Sequence, residues 1–329
     1  MTRIIRDACF FVRPCLPRAL RVALRRQLVT RTRAAFFDSW PISPAAARSP
    51  DGWPGWPECK KFAFVLTHDV EGARGLSRCL ALAEMELRIG FRSSFNFVPE
   101  GEYETPKPLR DFLIQRGFEV GVHDLRHDGR LYASQKRFHR QAERINRYLE
   151  EWGAVGFRSA FMLHDLDWLR DLHILYDAST FDSDPFEPQP EGAATIFPFW
   201  IERSDGSGYV EMPYTLPQDS TVFVLLQETS IGIWTKKLDW VASNGGMALV
   251  GVHPDYMSFS GVHGFSEYPV RLYEEFLEYV ANTYSQEAWF ALPRDVAAYV
   301  RGTRLQTEPF DVSDSLSTVE AAVVNSRRR

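Results

Sequence analysis

A chain of 329 residues that is 45% hydrophobic and 25% charged has the make-up of a globular protein with room for one large core. Its formal net charge of −5 gives no ground for a nucleic-acid partner, and no apolar run approaches the roughly 20 residues that a membrane-spanning helix needs. Cys9, Cys15, Cys59 and Cys79 show no CxxC spacing, so they read as reduced thiols without a metal role.

The first 37 residues hold nine arginines against one acidic residue, Asp7. The apolar run at 8–12 is short, is hemmed in by Arg6 and Arg13, and has no small-residue cleavage site after it, which predicts retention in the cytoplasm. A basic amphipathic helix making peripheral contact with a membrane surface is the other use of such an arm. Residues 40–57 are rich in Pro, Gly, Ala and Trp and predict an extended surface connector. Arm and connector together occupy residues 1–59.

From residue 60 the pattern changes. The stretch at 62–72, an apolar run passing into polar groups and a glycine, reads as a buried strand and its C-terminal end, 74–89 as a helix, 91–98 as a strand and 109–116 as a short helix. A strand at 117–123 precedes a long helix at 134–151, a strand at 154–159, a short helix at 165–172 and a strand at 174–181. Residues 182–208, rich in Pro, Gly and Asp, predict an ordered functional loop. Strands at 209–212 and 221–226, a helix at 231–243, a strand at 246–253, a helix at 270–284, a strand at 288–292 and a helix opened by Pro293 follow. Residues 302–329 turn polar and predict a frayed tail. Strand alternating with helix through residues 60–301 predicts parallel strands with right-handed crossovers, whose active sites collect at the C-terminal strand ends.

Three of those ends carry polar chemistry. Asp69 and Glu71 stand two apart, on one face if the strand continues through them. His123 ends a strand and forms an H-x-x-x-H pair with His127, a spacing that puts two imidazoles on one side of a helical turn. His253 ends a third strand. His68 reads as packing beside this set, and the aromatics Phe197, Phe199, Trp200 and Tyr256 as either core or a sugar-stacking wall.

The set Thr67-His68-Asp69-Val70-Glu71, His123 with His127, Arg158 in Gly156-Phe157-Arg158-Ser159, and His253 resembles, in order and spacing, the polysaccharide deacetylase family, the NodB-homology carbohydrate esterases. That family ends a strand in Thr-Phe-Asp-Asp-Gly, carries a His-Ser/Thr-x-x-His motif, an Arg motif followed by proline, and a Leu-x-His strand end. Here Val70 replaces the second Asp, Asp124 replaces Ser or Thr, and Ser159 stands where proline would. The resemblance implies an irregular seven-stranded (β/α) barrel, a divalent metal such as zinc, and a carbohydrate partner in the form of an N-acetylated sugar or glycan. It also implies an Asp behind the general-acid His, for which Asp182 and Asp184 are the candidates.

Amide hydrolysis needs a nucleophile, a polarised carbonyl and a proton for the leaving amine. Two histidines and a carboxylate leave positions open on a metal for water and substrate, and lower the water pKa to about 7. A second carboxylate takes the water proton, and an imidazole protonates the amine. The expected assignment is Asp69 as base, Glu71, His123 and His127 as metal ligands, Arg158 as the group holding Asp69 ionised, and His253 as acid. Exchange of Asp69 and Glu71 is the nearest competitor. A glycan- or partner-binding chain without turnover and a small-molecule amidohydrolase are the competing functions.

Overall fold

Strand β1, Phe62–Val70, is buried at all nine positions because both of its faces are covered. In the computed structural model, which describes residues 17–36, 40–189 and 191–303, β1 lies at the centre of a curled, mainly parallel sheet. One flank of β1 pairs with β8 (Met247–Val252). The other pairs first with β9 (Ala288–Ala291) and then with β2 (Ser94–Phe97). The ring continues through β3 (Glu119–His123), β4 (Gly156–Arg158), β5 (Tyr176–Asp177) and β7 (Gly208–Glu211). An isolated parallel bridge from Leu216 to Val250 returns it to β8. Seven parallel segments thus make an irregular barrel, with β6 (Phe199–Glu202) added antiparallel to β7 and β9 beside the lower half of β1.

Alternation along β1 divides the core into two layers. Phe62, Phe64, Leu66 and Val70 face the outer layer, among residues of α2 (Ala73–Ile89) and α6 (Arg271–Tyr284). Ala63 and Val65 face the barrel interior with Met247, Leu249, Val210 and Met212. Burial of each phenylalanine stabilises the fold by roughly 1.5–3 kcal/mol. The remaining helices are α1 (Arg18–Ala35), α3 (Lys107–Gln115), α4 (Gln135–Trp152), α5 (Gly232–Ser243) and α7 (Pro293–Thr303). α4 starts at Ser134, whose hydroxyl accepts from Arg137 N.

The tryptophan connector does more than lie on the surface. Trp56 is 5% exposed, joins the inner core with Val296 and Val300 of α7, and donates from Nε1 to the Gly245 carbonyl just ahead of β8. It closes the N-terminal end of the barrel, leaving the C-terminal end for chemistry.

Several elements differ from expectation. Residues 221–226 do not form a strand: Ser220–Leu225 is a π-helical turn, buried over Thr221–Leu225. The segment at 182–208 contains β6, whose Trp200 lies over Gly208 while Phe197 is in the outer core, so neither joins an aromatic wall at the site. β5 is two residues long, and residues 165–172 form only the 3-10 turn Trp168–Asp171. Cys59 and Cys79 are free thiols. Cys9, Cys15, the run at 8–12 and the tail beyond Thr303 lie outside the described residues.

Candidate active site

The strand ends predicted to carry chemistry do meet, at the C-terminal edge of β8, β1, β2, β3 and β4. Asp69 is next to last in β1 and points into the barrel, 2% exposed. Its carboxylate is held from two sides. Arg158 Nε lies 2.9 Å from Oδ2, an ion pair with Arg158 fully buried. Asn96 Nδ2 donates to Oδ1 at 3.0 Å from the position that β2 places in register with Asp69.

Two glycines make these approaches possible. Gly121 is the register partner of Asn96 in β3, and a Cβ there would sit 2.2 Å from Asn96 Oδ1. Gly251 lies in β8, and a Cβ there would sit 2.6 Å from one terminal nitrogen of Arg158. The other terminal nitrogen donates to Thr67 Oγ1, two residues before Asp69 on the same face. Burial opposes the charge on Asp69, but the Arg158 guanidinium, with His123, His253 and the Asn96 amide, brings its pKa below the ordinary carboxylate value.

Glu71, His123 and His127 form a second group, with one ligand atom from each within 4.8 Å of the others. Val70 turns outward into the helix layer, so the next carboxylate to face inward is Glu71. His127 Nε2 lies 3.1 Å from Glu71 Oε1. The two histidines do not share a helical turn, as their spacing suggested. Asp124 and His127 take left-handed backbone (φ 57° and 54°), and the loop folds the imidazoles to 5.0 Å between ring centres.

His123 Nδ1 donates to the Arg158 carbonyl at 3.0 Å, which leaves the lone pair of the neutral ring on Nε2. That buried nitrogen meets no hydrogen-bond partner among the described residues. Burial, against the pull of Asp69, lowers the His123 pKa to about 4. Glu71 is charged despite burial: His127, His253 and the Tyr256 hydroxyl hold it well below the ordinary carboxylate range. A neutral imidazole with an unused lone pair beside an ionised carboxylate and a second imidazole is a donor set that fits a divalent cation. The Glu71 side chain is 20% exposed and that of His127 11%, against 3% for Asp69, so the group opens toward solvent with the lone carboxylate behind it.

His253 follows β8, and its Nε2 lies 3.9 Å from both Asp69 Oδ2 and Glu71 Oε1. Its other face is held by Asp219, which accepts from Nδ1 at 2.6 Å and from the His253 backbone N–H at 2.9 Å. Asp219 also accepts from the Tyr268 hydroxyl at 3.0 Å. Burial works against a charged ring, but Asp219, Glu71 and Asp69 outweigh it and push the His253 pKa up to about 10. The imidazole is therefore a cation at neutral pH.

Sequence reasoning placed this partner at Asp182 or Asp184, and both are engaged elsewhere. Asp182 pairs with Lys237 at 2.5 Å, and Asp184 accepts from the Tyr214 hydroxyl at 2.9 Å. Asn96 and Asp255 were also missed, and Tyr256, expected as core or as part of a sugar-stacking wall, hydrogen-bonds Glu71. Asp255 accepts from the backbone N–H of Glu71 (2.9 Å) and of Gly75 (3.2 Å), and the Tyr256 hydroxyl donates to Glu71 Oε2 at 2.7 Å. A lone Asn within the apolar β2 and the His253-Pro254-Asp255-Tyr256 run were the signals available. His68, expected to pack beside the site, packs on the opposite face of β1, where its Nε2 lies 2.7 Å from Glu86 Oε1 in the helix layer.

No family model matches the chain, and no curated protein matches its sequence. Among solved structures it is similar to a Mycobacterium smegmatis protein designated a polysaccharide deacetylase, at 19% identity over 82% of this chain and 98% of that one, with a TM-score of 0.59. It also matches the peptidoglycan deacetylase PdaC of Bacillus subtilis at 12% identity over 76% and 95% of the two chains, with a TM-score of 0.45. The first likeness shows the fold.

Proposed function

The chain has the NodB-like fold of the polysaccharide deacetylases, and we propose that it is a metal-dependent deacetylase that hydrolyses the amide of an N-acetylated sugar. The observation that carries this reading is the pairing of two groups across one small space. The Glu71, His123 and His127 donors form one cluster, and the cationic His253 reaches it with Nε2 3.9 Å from both the ionised Asp69 and Glu71.

Glu71, His123 and His127 would hold a divalent ion such as zinc, which would supply Lewis-acid polarisation of the acetyl carbonyl and lower the pKa of water. Asp69, fixed by Arg158 and Asn96, takes the proton of the attacking water. His253 Nε2 gives its proton to the sugar nitrogen as the carbon–nitrogen bond breaks, so acetate and the free amine leave. Asp219 keeps the ring oriented and charged for that step. Arg158 holds Asp69 in its ionised form and aims it. The alternative in which Asp69 and Glu71 exchange roles fits less well, because Asp69 is already committed to Arg158 and Asn96.

The test is metal analysis of the purified protein beside His123→Ala/His127→Ala, with acetate release from N-acetylated sugars measured on the same samples. Stoichiometric metal lost in the double variant, together with acetate release by the wild type, is the expected result. A wild type that stays metal-free after addition of zinc, cobalt or nickel would overturn the reading.

A further inference from the structure

Helix α1 is oriented the wrong way round for a helix that packs on a protein core. Val22, Arg26, Val29 and Arg33 recur at helical spacing and face the barrel. Val29 is 4% exposed, Arg26 donates to the carbonyls of Val224 and Phe265, and Arg33 pairs with Glu228. The opposite face presents Leu20, Leu24 and Leu28, 46%, 51% and 63% exposed, one turn apart in a single stripe. Arg31 continues that stripe and Arg25 borders it, both exposed. A surface helix ordinarily buries its leucines and shows its arginines.

The stripe is not alone. The loop at 259–265 is exposed throughout and carries Phe259, Val262 and Phe265 at 36%, 81% and 53%. It joins α1 through Arg26, whose guanidinium lies 4.0 Å over the Phe265 ring. Exposed large apolar side chains on two adjoining segments, with exposed arginines among those of the helix, mark a surface that something covers.

We propose that this face, α1 with the loop at 259–265, docks on the surface of an anionic lipid bilayer. Charge selects this occupant. The first 37 residues hold nine arginines and a single acidic residue, the remaining 292 hold 29 basic and 42 acidic groups, and Arg25 and Arg31 are exposed beside the leucines. α1 itself contains no acidic residue. A second copy docked through the same patch would bring the exposed Arg25 and Arg31 of both copies into one interface with no acidic residue of the helix to offset them, which repels. Lipid headgroups supply the missing negative charge, and the acyl boundary accepts the leucines and phenylalanines.

The face borders the proposed acid group. Arg26 reaches Val224 in the turn that follows Asp219, and the loop at 259–265 follows the His253–Tyr256 segment. A docked molecule would hold this side of the barrel mouth toward the bilayer.

The full chain is tested by co-sedimentation with phosphatidylcholine vesicles, with and without phosphatidylglycerol, at low and high salt. Binding to the phosphatidylglycerol vesicles that weakens with salt, and falls about tenfold or more in Leu24→Glu/Leu28→Glu, is the expected outcome. Phe265→Ser should weaken it in the same direction, and both variants should unfold at the wild-type temperature because the changed side chains are exposed. Failure of the wild type to bind at low salt would overturn the proposal. So would equal binding by the Leu24→Glu/Leu28→Glu variant, which would move the lipid contact to residues 1–16. A wild-type dimer dispersed by the same variant would give the face to a second copy.

Discussion

At the scale of single residues, Asp219 sets what His253 can do. An unperturbed imidazole is mostly neutral at pH 7 and has no proton on one nitrogen to give. With Asp219 on Nδ1 the ring stays protonated up to about pH 10. Asp219→Asn keeps the size and one acceptor but removes the charge. kcat for acetate release should fall by roughly 10²–10⁴, the usual worth of a general acid. The direction of the pH effect follows from the acid role: activity disappears as His253 loses its proton. The alkaline limb of kcat should therefore move to lower pH in the variant, toward about 6.5. A loss of rate with an unmoved alkaline limb would reduce Asp219 to a packing residue.

At the scale of elements, the segment after β8 grips the segment after β1. Asp255 holds the backbone of Glu71 and Gly75, and Tyr256 holds Oε2 of Glu71, so one carboxylate oxygen and the main chain of the proposed ligand are fixed by one turn. The fit leaves no slack, since a Cβ at Gly75 would lie 2.1 Å from Asp255 Oδ2. Groups behind a metal ligand orient it, and their loss costs about 10–100-fold in affinity. Tyr256→Phe should weaken zinc binding, measured by competition with a chromogenic chelator, within that range while leaving the fold intact. Unchanged affinity would mean that Glu71 is positioned by Asp255 and His127 alone.

At the scale of the whole molecule, the two ends of the barrel use buried carboxyls differently. Asp69 at the open end is charged and paired. Glu119, at the start of β3 near the closed end, is 2% exposed and accepts from the Tyr176 hydroxyl and the Arg294 backbone N–H. Burial outweighs these bonds and raises its pKa to about 7. The folded protein then keeps a proton that the unfolded chain gives up near pH 4.5, so this contribution to stability is full below that pH and is lost as pH rises toward 7. Glu119→Gln carries no titrating proton. Between about pH 4 and about pH 8, its stability relative to wild type should rise by up to roughly 3 kcal/mol. Urea unfolding at the two pH values checks this, and a pH-independent difference would remove Glu119 from the account.

What the sequence determined by itself is what local order encodes. The apolar run of β1, its two carboxylates, and the histidines closing β3 and β8 were legible because parallel strands buried on both faces write continuous apolar segments with chemistry at one end. Parallel strands with crossovers followed from their alternation with helices, and the barrel from the resemblance to a known family. Only tertiary structure could decide the rest. The run at 221–226 has no period that separates a buried strand from a buried helical turn, and it winds as the latter. Asp219 lies 34 positions from His253, and which acidic residue stands behind that imidazole depends on how the turn ahead of α5 packs against β8. The pairing of His123 with His127 likewise rests on two left-handed residues rather than a helix. Spacing names the groups available for a site; the packing of strands and loops fixes which of them touch, and so which are charged.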